Sequence, residues 1–94
     1  MHFVVTCLDK DGGLDIRKAN REAHLAFVKE NSASIPVAGP LLDDEGTMMG
    51  STLICEADNK AALEAMLAND PYAKAGLFKD VTIHGWKWVI GAPS

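Results

Sequence analysis

The chain has 94 residues, 48% of them hydrophobic and 23% charged, a balance typical of a folded domain rather than of a disordered or collagen-like chain. Its length suffices for one core, so we expect a single domain over residues 1–94. The net charge of −4 and the scattered Lys and Arg residues provide no basic patch for phosphates, which excludes nucleic acid as an expected partner.

The first half of the chain is predicted to hold a strand, a helix and an edge strand. Residues 2–8 are rich in Val, Phe and Thr and form the strand. Asp15 is the predicted N-cap of a helix that ends near Asn31. Residues 35–42 are extended, but their two prolines remove hydrogen-bond donors, which favours the edge of a sheet.

Two rows of side chains run along the first predicted helix. The apolar row is expected to face the core and consists of Ile16, Ala19, Ala23, Ala26 and Phe27. A second row lies beside it, at the border between core and solvent, and consists of Arg17, Arg21, His24 and Val28. Arg21 and His24 thus share one helical face, where a guanidinium and an imidazole can act together.

The second half is predicted to hold a strand, a helix, a short helical turn and a final strand. Residues 47–56 suit a strand, in which Gly50 and Ser51 mark a place of close backbone approach. Asp58 is the predicted cap of the second helix, which ends at Asp70 because Pro71 follows. Residues 72–77 form the turn, and residues 79–90 form the last strand.

The predicted order β-α-β-β-α-β indicates an α+β, ferredoxin-like domain with an antiparallel sheet and both helices on one face. The two helices then run antiparallel. The end of the second helix, with Asp70, lies near the first half of the first helix, with His24. We therefore expect the imidazole and the carboxylate to approach each other.

The sheet face without helices is predicted to be apolar. His84, Trp86, Trp88 and Ile90 are expected to point toward this face, whereas Val81, Ile83 and Val89 point toward the helices. A bare face with two tryptophans exceeds the apolar patch that a monomer usually exposes. A second copy of the chain, packed sheet to sheet, is the simplest cover, so we predict a homodimer.

Several short motifs across nearly the whole chain resemble the YCII-related (YciI-like) family. They are Arg21-x-x-His24-Leu25, Gly39-Pro40, Gly50-Ser51, Asp70-Pro71-Tyr72 and Ala75-Gly76-Leu77. The resemblance implies the fold of the dimeric α+β barrel proteins and a small-molecule pocket that contains a His and an Asp. It places the histidine on His24, the aspartate on Asp70, the arginine on Arg21 and the serine on Ser51. Family members often carry a proline where this chain has Glu22.

The candidate site residues each have a functional and a structural interpretation. His24 can accept a proton while Asp70 holds its other ring nitrogen, or it can be a histidine bonded to a neighbour while Asp70 ends a helix. Arg21 can anchor an anionic substrate or form a surface ion pair. Ser51 lacks the base of a nucleophile, so a substrate contact or a backbone hydrogen bond is favoured. Tyr72 can line the pocket or pack after the helix end.

No metal or cofactor is expected. The three histidines and the two cysteines lack zinc spacing. In the expected pairing of the first and last strands, His2 lies near Trp88 and His84 near Thr6. Cys7 and Cys55 are predicted to be reduced core residues, and no nucleotide-binding motif is present.

No secretion or membrane signal is expected either. Met1 runs directly into the first strand without a basic and apolar leader. No apolar run reaches the ~20 residues of a membrane helix. The expected location is cytoplasmic, and no membrane is expected as a partner.

These observations predict a small homodimeric enzyme in which His24, held by Asp70, moves a proton on a small molecule. The substrate is expected to be anionic or ring-derived, and the reaction an isomerisation or an elimination. Arg21, Ser51 and Tyr72 are the expected substrate-binding residues. The alternative is a ligand-binding or stress-related accessory dimer that uses the same pocket without chemistry.

Overall fold

The computed structural model describes residues 1–92. Its elements follow the order β-α-α-β-β-α-α-β and are β1 (His2–Asp9), α1 (Leu14–Ala19), α2 (Arg21–Glu30), β2 (Val37–Leu42), β3 (Met48–Glu56), α3 (Lys60–Leu67), α4 (Pro71–Lys74) and β4 (Phe78–Trp86). This is the predicted α+β, βαββαβ-like order, in which each helical segment is divided into two pieces.

The four strands form one antiparallel sheet in the order β2-β3-β1-β4. β2 lies at an edge, as its prolines predict. Alternate residues of the central strand β1 are buried, and these are Phe3, Val5 and Cys7. They pack with Leu53, Cys55, Leu63 and neighbouring apolar side chains of the helices. The core therefore lies between the helices and one face of the sheet.

The first predicted helix is interrupted at Asn20. The Asn20 side chain donates a hydrogen bond to the carbonyl oxygen of Ile16 (2.9 Å), and the Asn20 backbone leaves helical geometry with φ −110° and ψ 6°. An Asn side chain that bonds the preceding turn competes with the regular helix in this way. Glu22 falls in the first turn of α2, where a proline is also tolerated.

The facing of the two helical rows was predicted only in part, because Phe27 of the apolar row packs against the core but the alanines do not. Ala19, Ala23 and Ala26 are exposed, whereas Arg17 and His24 of the row assigned to the border are buried. Alanine stabilises a helix without needing burial, so its recurrence is a weak sign of the core face. His24 therefore lies inside the domain and not at its edge.

The predicted caps also shift by one or two residues. α1 begins after Gly13, so Asp15 lies in its first turn, where a negative charge is favourable. α3 is capped by Asn59, whose side chain accepts a hydrogen bond from the backbone of Ala62 (2.8 Å), and not by Asp58. The last strand ends at Trp86, so Trp88 and Ile90 lie beyond it.

The register of β1 and β4 pairs His2 with Trp86 and Val4 with His84. This differs by two residues from the expected pairing, but it leaves His84 and Trp86 on the face without helices, as predicted. Gly50 confirms the expected close approach, because a Cβ atom there would clash with the carbonyl oxygen of Cys7.

Candidate active site

His24 and Asp70 form a buried hydrogen-bonded pair. Nδ1 of His24 lies 2.8 Å from Oδ1 of Asp70, and the two residues are 9% and 3% exposed. His24 is the fourth residue of α2, and Asp70 is the N-cap of α4. The break at Asn20 shortens the helix before His24, and α4 packs against α2. The start of α4, and not the end of α3, thus places the carboxylate of Asp70 beside the imidazole of His24, as the expected approach of the two groups requires.

The position of Asp70 follows from its neighbour Pro71. A proline disfavours helical geometry in the residue before it and is well accommodated at the first position of a helix. Asp70 accordingly has extended backbone (φ −61°, ψ 127°), and its Oδ1 also accepts a hydrogen bond from the backbone nitrogen of Tyr72 at 3.0 Å. Gly76, with φ +72°, ends the short helix. Asp70 therefore begins the turn segment and does not close α3.

The pairing determines which nitrogen of His24 can react. An ionised carboxylate only accepts hydrogen bonds, so Nδ1 carries the hydrogen and Nε2 is left with a lone pair. Nε2 forms no hydrogen bond with residues 1–92. Every fully enclosed side-chain nitrogen or oxygen in that range has a hydrogen-bond partner, so the unbonded Nε2 is not fully enclosed. Nε2 is therefore open to the cleft that His24 lines.

Tyr72 is packed directly against His24. The two rings are stacked with 3.9 Å between centroids and an angle of 11° between their planes. The guanidinium carbon of Arg17 lies 4.7 Å from the centroid of the Tyr72 ring. Because the imidazole covers one face of the phenol, the guanidinium lies over the other. Phe78 meets the ring edge-on at 6.2 Å. These contacts fix the plane of the imidazole.

Arg17 and Asp9 form a buried ion pair that was not predicted from the sequence. Arg17 donates from Nε to Oδ2 and from Nη2 to Oδ1 of Asp9, each over 2.8 Å, and Nη2 also donates to Oγ of Ser51 at 3.0 Å. Nη1 takes no part in these bonds. The sequence did indicate that Arg17 lies near the site, because Arg17 shares a helical row with His24. The role of Asp9, at the end of β1, depends on tertiary contacts.

Arg21 and Ser51 reach the same site in different ways. Arg21 is exposed and lines the cleft, and it makes no hydrogen bond or ion pair with residues 1–92. Ser51 is buried, and its hydroxyl accepts a hydrogen bond from Arg17 and donates none to a base among residues 1–92. The expected substrate-binding residues Arg21, Ser51 and Tyr72 therefore all line one cleft with His24.

This cleft, which we call the His24 cleft, has a volume of about 150 Å³. It lies between α1, α2, β2 and β3, and its lining is Arg17, Arg21, His24, Leu25, Val28, Ala38, Gly39, Pro40, Met48, Ser51, Leu53 and Tyr72. It contains two guanidinium groups and no carboxylate. A small molecule with an apolar body and a negative charge matches this lining.

Burial and charge act on the two groups stacked in the site. Burial raises the pKa of the Tyr72 phenol, and the positive charges of Arg17 and Arg21 offset this only in part. The phenol therefore keeps its proton at neutral pH. Burial lowers the pKa of the Arg17 guanidinium, but the bonds and charge of Asp9 outweigh it and raise that pKa above its usual value. Arg17 stays charged.

Comparison with known proteins agrees with these features. The family model of the YCII-related domain matches residues 1–87. The chain belongs to the YCII-related domain family. Protein YciI of Escherichia coli is 32% identical over 98 residues, which cover 96% of this chain and all of that one. An antibiotic biosynthesis monooxygenase shares only the fold with this YCII-related chain, at 14% identity and a TM-score of 0.58 over 94% of this chain and 97% of that one.

One solved structure is similar to this YCII-related chain in both sequence and fold. It is the 5-chloro-2-hydroxyhydroquinone dehydrochlorinase TftG from Burkholderia phenoliruptrix, in complex with 2,5-dihydroxybenzoquinone. The identity is 38% and the TM-score 0.85, over 93% of this chain and 94% of that one. A protein that is similar to this chain is thus a lyase-type enzyme that binds a small quinone.

Two features of residues 1–92 concern metal ions and membranes. Within that range no group of three or more His, Cys, Asp or Glu side chains is placed to hold a metal ion. None of the helices in the same range is both long enough and apolar enough to cross a membrane.

Proposed function

We propose that this protein is a small-molecule lyase in which His24, held by Asp70, transfers protons on a hydroxylated six-membered ring. The observation that carries the proposal is the 2.8 Å bond from Nδ1 of His24 to Asp70, which leaves Nε2 free at the wall of a cleft. An imidazole bound in this way is a base whose conjugate acid the carboxylate stabilises. The similarity to TftG supports a quinol or quinone as the ligand class.

The proposed reaction is the loss of HX from a hydroquinone that carries a leaving group X. Nε2 takes the proton of the hydroxyl next to the C–X carbon and delivers it to that carbon, so that this hydroxyl becomes a ketone. The opposite hydroxyl then gives its proton to Nε2 and becomes the second ketone, while X departs with the electrons of the C–X bond. The products are a quinone and HX, and no external oxidant is needed. An isomerisation would stop after the first of these steps.

The cations of the cleft suit the charge that develops on the ring oxygens. Arg21 is exposed and without an acidic partner among residues 1–92, so its guanidinium is free to pair with a phenolate. Arg17 is held in place by Asp9, and its Nη1 can donate to a ring oxygen. Ser51 can donate its hydroxyl hydrogen, while Tyr72 forms a flat wall beside the imidazole. We assign substrate binding to Arg21, Ser51 and Tyr72.

We also propose that the working unit is a homodimer. On the sheet face without helices, Val4, Ile54 and Trp86 lie near one another across three strands. His2 packs edge-on against Trp86 and Trp88 at this end of the sheet. Thr6, Thr52 and Thr82 form a polar row across the same face. No element within residues 1–92 covers the apolar part of this face, and a second copy packed on it would remove that part from water.

Turnover tests the proposal. Wild-type protein is incubated with halogenated hydroquinones, and halide release and quinone absorbance are recorded together. His24→Ala is expected to lose about 10²-fold or more of the rate while its circular dichroism stays native, and added imidazole is expected to restore part of the rate. If wild type and His24→Ala bind the quinone equally and neither turns over any of these ring compounds, the protein is a ligand-binding module instead.

A further inference from the structure

A second cavity lies on the other side of the His24–Asp70 pair. This cavity, which we call the Asp70 groove, has a volume of about 390 Å³ and runs between α3, α4 and β4. Its lining is Cys7, Leu53, Lys60, Glu64, Leu67, Ala68, Asp70, Ala73, Phe78, Val81 and Ile83. A volume of this size and a mostly apolar wall with few polar groups are typical of small-molecule sites.

One oxygen of Asp70 is unpartnered at this groove. Oδ1 accepts both hydrogen bonds, from His24 and from the backbone of Tyr72, and Oδ2 accepts none from residues 1–92. Asp70 is only 3% exposed. Every fully enclosed side-chain oxygen in that range has a hydrogen-bond partner, so the unbonded Oδ2 is not fully enclosed. Oδ2 is therefore the part of Asp70 that reaches the groove. A carboxylate so deeply buried is stable only when donors satisfy its remaining lone pairs.

The two cavities select opposite charges. The His24 cleft contains Arg17, whose charge Asp9 neutralises, and Arg21, which has no acidic partner among residues 1–92, so Arg21 makes the cleft favourable for an anion. The Asp70 groove contains two carboxylates, Asp70 and Glu64, and one cation, Lys60. Lys60 and Glu64 are exposed and four residues apart on α3, which places them side by side at the mouth. The charge inside the groove is that of Asp70.

We propose that the Asp70 groove is a second ligand site, which takes a primary amine on an apolar body with its ammonium group bonded to Oδ2 of Asp70. The apolar body lies on Val81, Ile83 and Phe78, which are exposed or half-buried on β4. An ammonium supplies the donor that Oδ2 lacks, together with the opposite charge. Because the same carboxylate holds His24, such a ligand would also act on the His24 cleft, and this consequence alone rests on the proposed function.

Binding is tested with phenethylamine as the probe and benzoate as its anionic counterpart, by amide NMR on the intact chain. Phenethylamine is expected to shift the amides of Val81 and Ile83 in a saturable way, whereas benzoate leaves them unchanged. Asp70→Asn is expected to raise the Kd for phenethylamine by about tenfold or more, since a hydrogen bond to a charged acceptor is lost.

A matched pair of alanine variants keeps the test independent of the His24–Asp70 pair. Ala68 and Ala65 are both exposed on α3 or at its end, but only Ala68 lines the groove. Ala68→Phe is expected to abolish the phenethylamine shifts, and Ala65→Phe to keep them. The proposal is overturned if the β4 amides do not respond, if Ala68→Phe binds as wild type does, or if the shifts centre on Arg21 and Leu25. None of these readouts requires turnover, so they test amine binding whether or not the protein catalyses the proposed reaction.

Discussion

Oδ1 of Asp70 accepts a hydrogen bond from Nδ1 of His24 over 2.8 Å, although 46 residues separate the two in the chain. The same oxygen caps α4 by accepting the backbone hydrogen of Tyr72. Asp70 therefore has two tasks, one electrostatic and one structural, and substitutions at this position can separate them.

Asp70→Asn is expected to retain the cap and lose the charge. Asparagine is as good an N-cap as aspartate, so unfolding by urea should show Asp70→Ala to be less stable than Asp70→Asn by about 1 kcal/mol. Turnover should fall by about 10²-fold or more in both variants, because neither stabilises the imidazolium. An Asp70→Asn variant with wild-type turnover would show that the carboxylate charge is not used.

The Asp9–Arg17 pair is expected to be strongly coupled. Arg17→Met leaves the buried carboxylate of Asp9 without its partner, which typically costs about 3–5 kcal/mol. The double variant Asp9→Leu/Arg17→Met removes both charges and should recover much of this loss. Urea unfolding of the two single variants and the double variant measures the coupling. Arg21→Met, on the exposed neighbour in the same row, serves as the control and should change stability by less than about 0.5 kcal/mol. Strictly additive losses would contradict a coupled buried pair.

The two buried cysteines predict a loss of stability at high pH. Burial raises the pKa of the Cys7 thiol from 9.0 to about 12 and that of Cys55 to about 11. Well below pH 9.0 both thiols are protonated in the folded and in the unfolded chain, so they add no pH dependence there. Above that value the unfolded chain releases its protons first, and each thiol lowers the unfolding free energy by up to about 1.4 kcal/mol per pH unit.

The measurement is the unfolding free energy of wild type and of Cys7→Ala/Cys55→Ala between about pH 8 and pH 11. The double variant should show a shallower decline above pH 9.0, whatever its stability at neutral pH. Equal slopes for the two proteins would mean that the thiols ionise as readily in the folded chain as in the unfolded one.

The proposed dimer predicts twice the chain mass of 10.1 kDa in sedimentation equilibrium. Ile54→Lys places a charge on the apolar part of the sheet face without helices and should yield the monomer, because burying an unpaired charge is costly. Ala23→Lys, at an exposed position on the helical side, should stay dimeric. A wild-type mass equal to one chain at every concentration would contradict the dimer.

The sequence predicted the sheet, its proline-bearing edge and the approach of His24 to Asp70, because strand periodicity and short connections leave few topologies open. It did not predict the helix break at Asn20, since that depends on one side-chain hydrogen bond to Ile16. The break matters for the site, because it brings His24 into the first turns of α2, opposite α4.

The candidate site was predicted only in part for a similar reason. The row of Arg17, Arg21, His24 and Val28 lines one cleft, as its spacing indicates. Its burial was misjudged because the alanine row looked more apolar, whereas the charge of Arg17 is neutralised inside by Asp9. A buried ion pair of this kind cannot be recognised without the partner strand.

The central claim is that Nε2 of His24 reacts with a ring oxygen in the His24 cleft. The most direct measurement is a titration of ¹⁵N-histidine-labelled protein with 2,5-dihydroxybenzoquinone, with the three imidazoles assigned by His24→Gln and by a His84 variant. We expect the free protein to show the Nδ1–H form at His24 and the quinone to move the Nε2 signal of His24 while His2 and His84 stay in place. If the quinone leaves the His24 nitrogens unchanged at saturation, or if the free protein carries its hydrogen on Nε2, the account is contradicted.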